Sequence, residues 1–320
     1  MSGVYRDLAA ALLAVDRDHR PVNVGLAAQL ACLLEASAPK PGNVSPGRHF
    51  SDLRYEDFLA SALAIGEPMA RAGEQSVGAT IRKAIEATAQ WSPSNTNLGI
   101  VLLFAPLARA AVNDPGGDVH ALSRKSPPGS LQGAVRRVLD GTTIDDARDV
   151  YAAIRIARPG GLGRADEQDV ASEPTMRLVE VMRLAAHRDT IASEYVTGFE
   201  ITFGTAVPAL ERARHDGLRW DDAIVETFLT VLSQVTDTHI ARRSGKELAD
   251  EVTARAQRVL ADGGVRSDAG RRAIDDMDRA LRDERNSGNP GTTADLTAAA
   301  IFVLLLGGEW VRLKADTTGT

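Results

Sequence analysis

The most restrictive feature of the chain is a turn rich in glycine and proline that leads directly into a long apolar run. The turn reads NSGNPGTTADL over residues 286–296, and the run continues as TAAAIFVLLLGG to Gly308. Two glycines and a proline exclude helix within the turn, whereas Thr292 or Thr293 can cap a new one. The alanine-rich run predicts that this new helix extends to the final glycines.

The start of this predicted helix is a candidate anion site. Asp295 lies three residues after Thr292, the spacing of a capping partner. Such a turn directs several backbone N–H groups to one point at the positive end of the helix dipole, which suits a phosphate. The carboxylate of Asp295 suits a phosphate that arrives with magnesium. An ordinary loop and helix cap would explain the same residues.

The composition favours a helical protein. Of the 320 residues, 44% are hydrophobic but only 4% are aromatic. Alanine, leucine and arginine dominate, and strand-like runs are scarce. No apolar run reaches the ~18–20 residues of a membrane span, and the first residues lack a basic leader and a cleavage site, so we expect a cytoplasmic protein. The net charge of −6 argues against a general affinity for DNA or RNA. The single cysteine, Cys32, excludes a disulfide framework.

Apolar residues recur at helical spacing along most of the chain. We predict one all-α domain over residues 21–310, an accessory helix within 1–20 and a disordered tail over 311–320. There is no fixed-period repeat and no alternation of strands and helices. The predicted fold is therefore a compact array of about ten or more helices with functional loops at the helix junctions. The loop-rich stretch 113–130 is predicted to be a subdomain joint or a mobile lid.

A first cluster of candidate site residues lies in PKPGNVSPGRHFSD, residues 39–52. Prolines stiffen this loop, so Lys40 can be held as a point charge directed at phosphate. His49 and Asp52 are three residues apart and can act as metal ligands or as a base and its orienting partner. A solvated loop with a surface histidine is the alternative interpretation.

A second cluster is NTNLG, residues 95–99. Asparagine and threonine at a helix start satisfy backbone donors, which could by itself explain them. The same groups suit sugar hydroxyls or the edge of a nucleobase. Because Gly99 has no side chain, a ligand or another helix can approach it closely.

Two further clusters combine glycine, acid and arginine. GGLG at residues 160–163 is followed by several carboxylates, which could wrap a magnesium-bound polyphosphate or could simply separate two helices. DTHIARRSG at residues 237–245 places Arg242 and Arg243 within two helical turns of Asp237. One arginine can pair with an acid while the other holds a phosphate.

No GxSxG, HExxH, Walker or dinucleotide-binding fingerprint occurs in its required context. Taken in order, Glu35, PKPGNV, HxxD, NTNLG, GGLG, DTHIARR and NxGxPGxxADL resemble the triphosphoribosyl-dephospho-CoA synthase family. The resemblance covers nearly all of the chain beyond about the first 20 residues, and the motifs are fairly specific as a set. It implies an all-helical transferase that joins the triphosphoribosyl part of ATP to a ribose hydroxyl of dephospho-CoA and releases adenine.

One segment departs from the family pattern. Family members that serve citrate lyase tend to read NTH followed by a small or basic residue, where this chain has Asn97 and Leu98. The GGLG segment is closer to a branch found where no such lyase need exist. The departure indicates that the displacement of adenine is kept while the acceptor can differ.

Roles follow from the chemistry of the implied reaction. Breaking an N-glycosidic bond builds positive charge on the ribose, so carboxylates are expected near the sugar, while the triphosphate survives as a handle. The predicted catalytic residues are Glu35, His49, Asp52 and Asp237. The predicted ATP-binding residues are Lys40, Gly42, Asn43, Asn95, Thr96, Asn97, Gly99, Gly161, Arg242, Arg243, Asn286, Gly288 and Gly291. The predicted magnesium ligands are Asp52, Asp169 and Asp295.

Two other functions are compatible with the same residues. One is a magnesium-dependent phosphoryl transferase or nucleotide hydrolase, and the other is a non-catalytic helical interaction protein. The expected partners are small molecules, ATP and dephospho-CoA or a related acceptor, and neither a nucleic acid polymer nor a membrane. An assembly of two copies of the chain is also compatible with the sequence.

Overall fold

The structure is a computed structural model, and it describes residues 23–92, 94–113, 130–283 and 286–307. These residues form helices joined by loops, with no β-strand among them, so the predicted all-α fold is confirmed. The predicted accessory helix and C-terminal tail lie outside the described residues, and so does nearly all of 113–130. The domain limits 21–310 stay a prediction.

The helices are numbered in chain order. The first seven are α1 (Val24–Ser37), α2 (Tyr55–Ala64), α3 (Gly66–Ala70), α4 (Val77–Ala89), α5 (Leu98–Asn113), α6 (Leu131–Asp140) and α7 (Ile144–Ala157). The others are α8 (Leu178–Ala185), α9 (Thr190–Thr197), α10 (Val207–His215), α11 (Trp220–Gln234), α12 (Thr238–Ser244), α13 (Lys246–Ala261), α14 (Asp268–Leu281) and α15 (Gly291–Leu306). A π-helical turn, Thr202–Ala206, leads into α10, and a 3₁₀ turn, Gly264–Arg266, follows α13.

Helix α15 lies at the centre of the molecule. Nearly every residue from Thr292 to Leu305 is buried, as expected for a helix that is apolar on all sides. Helices α1, α5, α10 and α11 and the π-helical turn pack around it. Phe302 stacks on Phe104 of α5 with ring centroids 4.3 Å apart. The first turn of α15 is therefore held in place by the main hydrophobic core.

Side chains fix the starting points of three helices that meet near this first turn. Asn95 caps α5, since its Oδ1 accepts the backbone N–H of Leu98 at 3.0 Å. Asp189 caps α9 through the N–H of Ala192 at 3.1 Å. Asp237 caps α12. These caps satisfy backbone donors that a helix start leaves unpaired.

The predicted cap of α15 is wrong. The helix begins at Gly291, and its N-cap residue, Pro290, makes no side-chain hydrogen bond to it. The hydroxyl of Thr293 donates instead to the carboxylate of Asp237, 2.7 Å away. Asp295 makes no capping bond within the described residues. A tertiary contact has taken the place of the local one, because α12 brings a stronger acceptor to the same spot.

None of the helices in the described part of the chain has both the length and the apolar character that crossing a bilayer requires.

Candidate active site

Four carboxylates converge where the start of α15 meets α1, α9 and α12. We call Glu35, Asp189, Asp237 and Asp295 the acidic cluster. Glu35 lies in the last turn of α1, and Asp295 lies near the start of α15. Asp189 and Asp237 are the caps of α9 and α12. The charges of the other three all raise the pKa of the carboxyl group of Asp295.

Asp295 is the least satisfied member of the cluster. Its carboxylate makes no hydrogen bond to any described residue, and a Cβ atom placed on Gly99 would lie 2.0 Å from its Oδ2. Gly99 is therefore needed to admit this carboxylate, and the helix that approaches is α15. Burial raises the pKa of Asp295 well above its usual range, and the charges of Glu35, Asp237 and Asp189 raise it further, whereas the charge of Arg242 acts in the opposite direction. A cation placed here would be strongly stabilised.

Asp237 connects two helices. Its Oδ1 accepts the N–H groups of His239 and Ile240 at 2.9 and 3.0 Å. Its Oδ2 accepts the N–H and the hydroxyl of Thr293 at 2.8 and 2.7 Å. Burial raises the pKa of this carboxyl, and the four hydrogen bonds act in the opposite direction. With both oxygens occupied, Asp237 positions the start of α15, and its predicted catalytic role stays a prediction.

The start of α15 offers fewer donors to a phosphate than its sequence predicts. Pro290 has no N–H, and the N–H of Gly291 donates to the carbonyl oxygen of Asn289 at 2.9 Å. The N–H of Thr293 is taken by Asp237. Groups of the protein itself therefore satisfy most of the donors that the glycine-rich turn was expected to present.

Glu35 and Lys40 form a buried ion pair. The Nζ of Lys40 lies 2.9 Å from Oε1 of Glu35, and the lysine side chain is 0% exposed. Nζ also donates to the backbone carbonyl of Glu35 and to that of Ala38, the latter at 3.3 Å. These bonds use the three donors of an ammonium group. The geometry therefore does not support the predicted contact between Lys40 and phosphate; Lys40 compensates the buried charge of Glu35.

Arg242 joins the predicted glycine loop to the acidic cluster. Its Nε donates to the carbonyl oxygen of Gly160 at 3.2 Å, and its guanidinium lies 3.4 Å from the carboxylate of Asp189. Gly161 has a φ of +75°, and a Cβ there would lie 3.0 Å from the carbonyl oxygen of Arg242. Glycine is thus required both by its conformation and by the close approach of α12.

His239 lies between the arginines and the glycine turn. Its Nε2 is 3.3 Å from a guanidinium nitrogen of Arg243, and a Cβ on Gly291 would lie 3.1 Å from its ring. Burial lowers the pKa of His239 to about 3, with smaller contributions from the charges of Arg242 and Arg243. The imidazole is therefore neutral at physiological pH, and the positive charge at this side of the site belongs to the arginines.

The predicted residues Gly42 and Asn43 pack against α14. The N–H of Gly42 donates to Asp278 at 2.8 Å, and Arg282 donates to the carbonyl oxygen of Asn43. Gly42 has a φ of +77°, and a Cβ there would lie 3.0 Å from Leu281. This segment is buried, so the interpretation of a freely solvated loop is wrong for it. Its contacts are structural.

The predicted residues Asn286 and Gly288 shape the turn before α15. Asn286 has a φ of +52°, a conformation that asparagine tolerates better than most residues. A Cβ on Gly288 would lie 2.9 Å from the side chain of Leu281. The carbonyl oxygen of Ser287 accepts the hydroxyl of Ser244 at the end of α12 at 3.1 Å. The turn is thus attached to α12 and α14.

Other predicted residues lie on loops that no described contact joins to the acidic cluster. His49 is exposed, and its Nδ1 accepts the N–H of Tyr55 at 3.3 Å. Asp52 is exposed and makes no hydrogen bond to a described residue. Asp169 accepts the N–H groups of Ala165 and Ala171 at 2.7 and 2.8 Å, which folds its own loop. Their predicted roles stay predictions.

Of the predicted magnesium ligands, therefore, Asp295 lies in the acidic cluster, whereas Asp52 and Asp169 are not brought to it. Over the described residues, no group of three or more histidine, cysteine, aspartate or glutamate side chains is arranged to hold a metal ion. A magnesium ion here would need further ligands from its substrate, which is its usual behaviour with nucleotides.

A cavity of about 150 Å³ lies beside the start of α5. Its lining comprises Ile85, Thr88, Ala89, Ser92, Ser94, Asn95, Thr96, Asn97, Ile156, Ala157 and Arg158. Asn95 caps α5, and the hydroxyl of Thr96 is 2.5 Å from that of Ser61. The predicted segment NTNLG therefore has two faces, one on the cavity and one, at Gly99, on Asp295.

Three residues of the site, Asp189, Thr190 and Thr238, were not singled out from the sequence. The hydroxyl of Thr238 accepts the N–H of Thr190 at 3.2 Å and lies 3.2 Å from the hydroxyl of Thr292. This chain of threonines connects α9, α12 and α15. The signal that could have found Asp189 is its position as an acceptor directly before a helical run.

Comparisons with known proteins identify the family of the chain. A sequence model of the family described as ATP:dephospho-CoA triphosphoribosyl transferase matches residues 21–313. A protein of Pseudomonas syringae pv. tomato, named probable 2-(5''-triphosphoribosyl)-3'-dephosphocoenzyme-A synthase, is 28% identical over 283 residues, or 83% of this chain and 84% of that protein. A protein of the same name from Stutzerimonas stutzeri is 36% identical over 108 residues, or 33% of this chain and 36% of that protein.

A solved structure is similar as well. The crystal structure of a protein of Archaeoglobus fulgidus, assigned as a triphosphoribosyl-dephospho-CoA synthase, superposes with a TM-score of 0.61 at 27% sequence identity. The similarity covers 80% of this chain and 99% of that one. The family predicted from the motifs is confirmed, and with it the class of enzyme, a transferase. This chain belongs to the ATP:dephospho-CoA triphosphoribosyl transferase family.

Proposed function

We propose that the chain transfers the triphosphoribosyl group of ATP to a ribose hydroxyl of dephospho-CoA, releases adenine, and performs this reaction beside the acidic cluster. The observation that carries the location is the carboxylate of Asp295, whose pKa is raised by burial and by three other carboxylates and which has no hydrogen-bond donor among the described residues. A ribose that loses its base becomes positively charged, and fixed negative charge stabilises that transition state.

Asp295 also has the properties of a general base. Its pKa is raised above the ordinary range, first by burial and then by Glu35, Asp237 and Asp189, and a base is most effective when its pKa approaches the working pH. In the proposed reaction the acceptor hydroxyl oxygen bonds to C1' of the ribose and its proton passes to Asp295. The bond from C1' to adenine breaks, and adenine leaves with the electron pair of that bond.

The triphosphate is proposed to lie on the arginine side of the site. Arg242 and Arg243 come from α12, and the backbone of Gly160 and Gly161 is packed against Arg242. Guanidinium groups match phosphate oxygens in geometry and charge. In this proposal Lys40 has no contact with the nucleotide, because its donors are used by Glu35 and Ala38.

The residues present fit a magnesium ion that arrives with the nucleotide. The carboxylate of Asp295 has no hydrogen-bond donor among the described residues, and the negative charges of Glu35, Asp237 and Asp189 that raise its pKa would be relieved by a cation in place of the proton. Magnesium accepts one or two protein carboxylates together with phosphate oxygens and water. When bound, the ion would neutralise part of the charge on the triphosphate.

The test is to incubate ATP labelled in the base with the protein, magnesium and dephospho-CoA, and to separate the products. The proposal expects free labelled adenine together with an unlabelled product that retains the triphosphate. Label recovered in ADP or AMP would show phosphoryl transfer or hydrolysis instead and would overturn the proposal. Replacing dephospho-CoA by other nucleotides with a free ribose tests the acceptor. Whether two copies assemble stays a prediction that the mass in solution would decide.

A further inference from the structure

The cavity beside α5 contains a buried polar atom without a partner. Asn97 is only 5% exposed, and its Oδ1 has no hydrogen-bond donor among the described residues. Its Nδ2 donates to the hydroxyl of Thr88 at 3.1 Å, which leaves the second hydrogen of the amide unassigned. A buried amide oxygen is costly to leave unpaired. The arrangement is explained if a ligand supplies the missing donor.

The walls of the cavity restrict what that ligand can be. Ile85 and Ile156 supply apolar surface, and Ala89 and Ala157 add small side chains between the polar groups. No carboxylate lines the cavity, and Arg158 is its one charged side chain among the described residues. At about 150 Å³ the cavity is of the size that accepts an aromatic ring in other proteins. A flat, uncharged ring with a polar edge fits this lining.

We propose that the cavity binds an adenine ring through Asn97. The exocyclic amine of adenine would donate to Oδ1, and an adjacent ring nitrogen would accept the second hydrogen of Nδ2. An asparagine amide and the edge of adenine are complementary in this way, since each presents one donor beside one acceptor. The two isoleucines would contact the faces of the ring.

The segment that carries Asn97 also carries the contact with Asp295. Asn97 lies two residues before Gly99, and Gly99 is the residue against which the carboxylate of Asp295 packs. Residues two apart at a helix start face different directions, so the cavity and the acidic cluster lie on different sides of the start of α5. This inference rests on the proposed function in one respect, because ATP and dephospho-CoA both carry adenine and either could supply the ring.

Binding of nucleotides to the full chain, measured without turnover, tests the proposal. ATP is compared with inosine triphosphate, and dephospho-CoA with its hypoxanthine analogue, by calorimetry on the full chain. Hypoxanthine has a carbonyl where adenine has the amine, so Asn97 should reject it by about tenfold or more. The Asn97→Leu variant should bind the adenine and hypoxanthine forms within about twofold of each other. An unchanged preference in this variant would overturn the proposal.

A pair of further variants tests the cavity without changing a buried polar group. Ile156 and Ile144 both lie on α7 and are 38% and 37% exposed, but Ile144 does not line the cavity. Ile156→Trp should weaken nucleotide binding about tenfold or more by filling the cavity, whereas Ile144→Trp should bind as the parent does. Equal binding by the two variants would contradict the proposal even if Asn97→Leu fails to fold.

The experiment distinguishes ATP from dephospho-CoA as the source of the adenine ring. It also distinguishes failure of the adenine site from failure of the proposed function. Base discrimination seen with ATP assigns the cavity to the donor, and discrimination seen with dephospho-CoA assigns it to the acceptor. Discrimination with neither removes the proposed adenine site. If the parent discriminates between bases but releases no adenine from ATP, the adenine site stands and the proposed function fails. If adenine is released without base discrimination, the opposite holds.

Discussion

At the scale of single residues, the site is defined by which charges are compensated. Lys40 compensates Glu35, and Asp237 is surrounded by four donors. Asp295 has no hydrogen-bond donor within the described chain, and the effects of burial and of three carboxylates on its pKa outweigh the opposing charge of Arg242. Buried charges in proteins are normally paired, so the unpaired one is the strongest candidate for function.

Asp295→Asn should therefore separate activity from stability. We expect adenine release to fall by about 10²–10⁴-fold, the usual contribution of a general base. The folded state should be as stable as the parent or more stable, because repulsion from Glu35, Asp237 and Asp189 is removed. Steady-state kinetics and chemical denaturation measure the two effects. Asp276→Asn, an exposed change on α14, is the matched control and should alter neither.

Lys40→Met should have the opposite profile. The change leaves the carboxylate of Glu35 buried without its cation, and breaking one partner of a buried pair costs about 3–5 kcal/mol. The folded fraction should still bind ATP normally, because Lys40 has no donor left for phosphate. Denaturation and nucleotide titration check both statements. A stable variant with weakened ATP binding would instead restore the role predicted from the sequence.

His239 should make the protein sensitive to acid. Burial, and then the charges of Arg242 and Arg243, lower its folded pKa to about 3 from an ordinary value of 6.5. Its contribution to stability is present above pH 6.5 and is lost as pH falls toward 3, since the unfolded chain then binds the proton more tightly. Between pH 8 and pH 5, His239→Gln should lose about 2 kcal/mol less stability than the parent. His215→Gln, at an exposed position, should follow the parent's pH profile.

At the scale of helices, the site depends on the close approach of α5 to α15. Gly99 and Asp295 are in contact at a point where a methyl group would collide with the carboxylate. Asp237 fixes α12 to the start of α15 through Thr293. The starts of α5, α12 and α15 thus meet at one point, and their geometry is set by side chains that belong to neighbouring elements.

Gly99→Ala should displace α15 and reduce both stability and activity. A Cβ 2.0 Å from Oδ2 of Asp295 must displace that carboxylate or move one of the two helices, which costs about 1–3 kcal/mol. In an Asp295→Gly background the same change should cost much less, and this non-additivity is the decisive measurement. Gly204→Ala is the control, since a Cβ there meets nothing within 4 Å. Equal costs in both backgrounds would mean that the collision is relieved elsewhere.

At the scale of the whole molecule, one helix serves both the core and the site. The buried body of α15 is surrounded by α1, α5, α10 and α11, and its first turn carries Asp295. The position of the carboxylate is therefore determined by the packing of most of the protein. Rigid elements hold functional groups more accurately than loops do.

Phe302→Ala should destabilise the whole molecule and also lower the activity of the site. Phe302 is 0% exposed and stacks on Phe104, and loss of a buried phenylalanine costs about 3–5 kcal/mol. Because both helices of the Gly99 contact lose packing, activity should also fall under conditions where the protein remains folded. Leu63→Ala, at a position that is 61% exposed, should cost less than about 0.5 kcal/mol. Urea denaturation and adenine release measure the two effects.

Much of this architecture could be predicted because it is local. Helical spacing and the breaks at glycine and proline indicate the helices, and the turn before α15 is visible in the sequence itself. What could not be predicted is which polar groups neutralise each other across the fold. Lys40 was predicted to hold phosphate, and Thr292 or Thr293 to cap the new helix, because burial of the ion pair and the approach of Asp237 depend on tertiary packing. Asp189 was missed although its place directly before a helical run is a local signal.

The contact between Gly99 and Asp295 has a consequence for how relatives of this chain can diverge. Two positions almost two hundred residues apart share one small volume, since a side chain at position 99 would occupy the space of the carboxylate at 295. Neither position can therefore change freely on its own. Across the family, a residue larger than glycine at the first position should occur together with a shorter residue at the second. Relatives with such a pair would lack the carboxylate at position 295, and we expect them not to perform the proposed reaction.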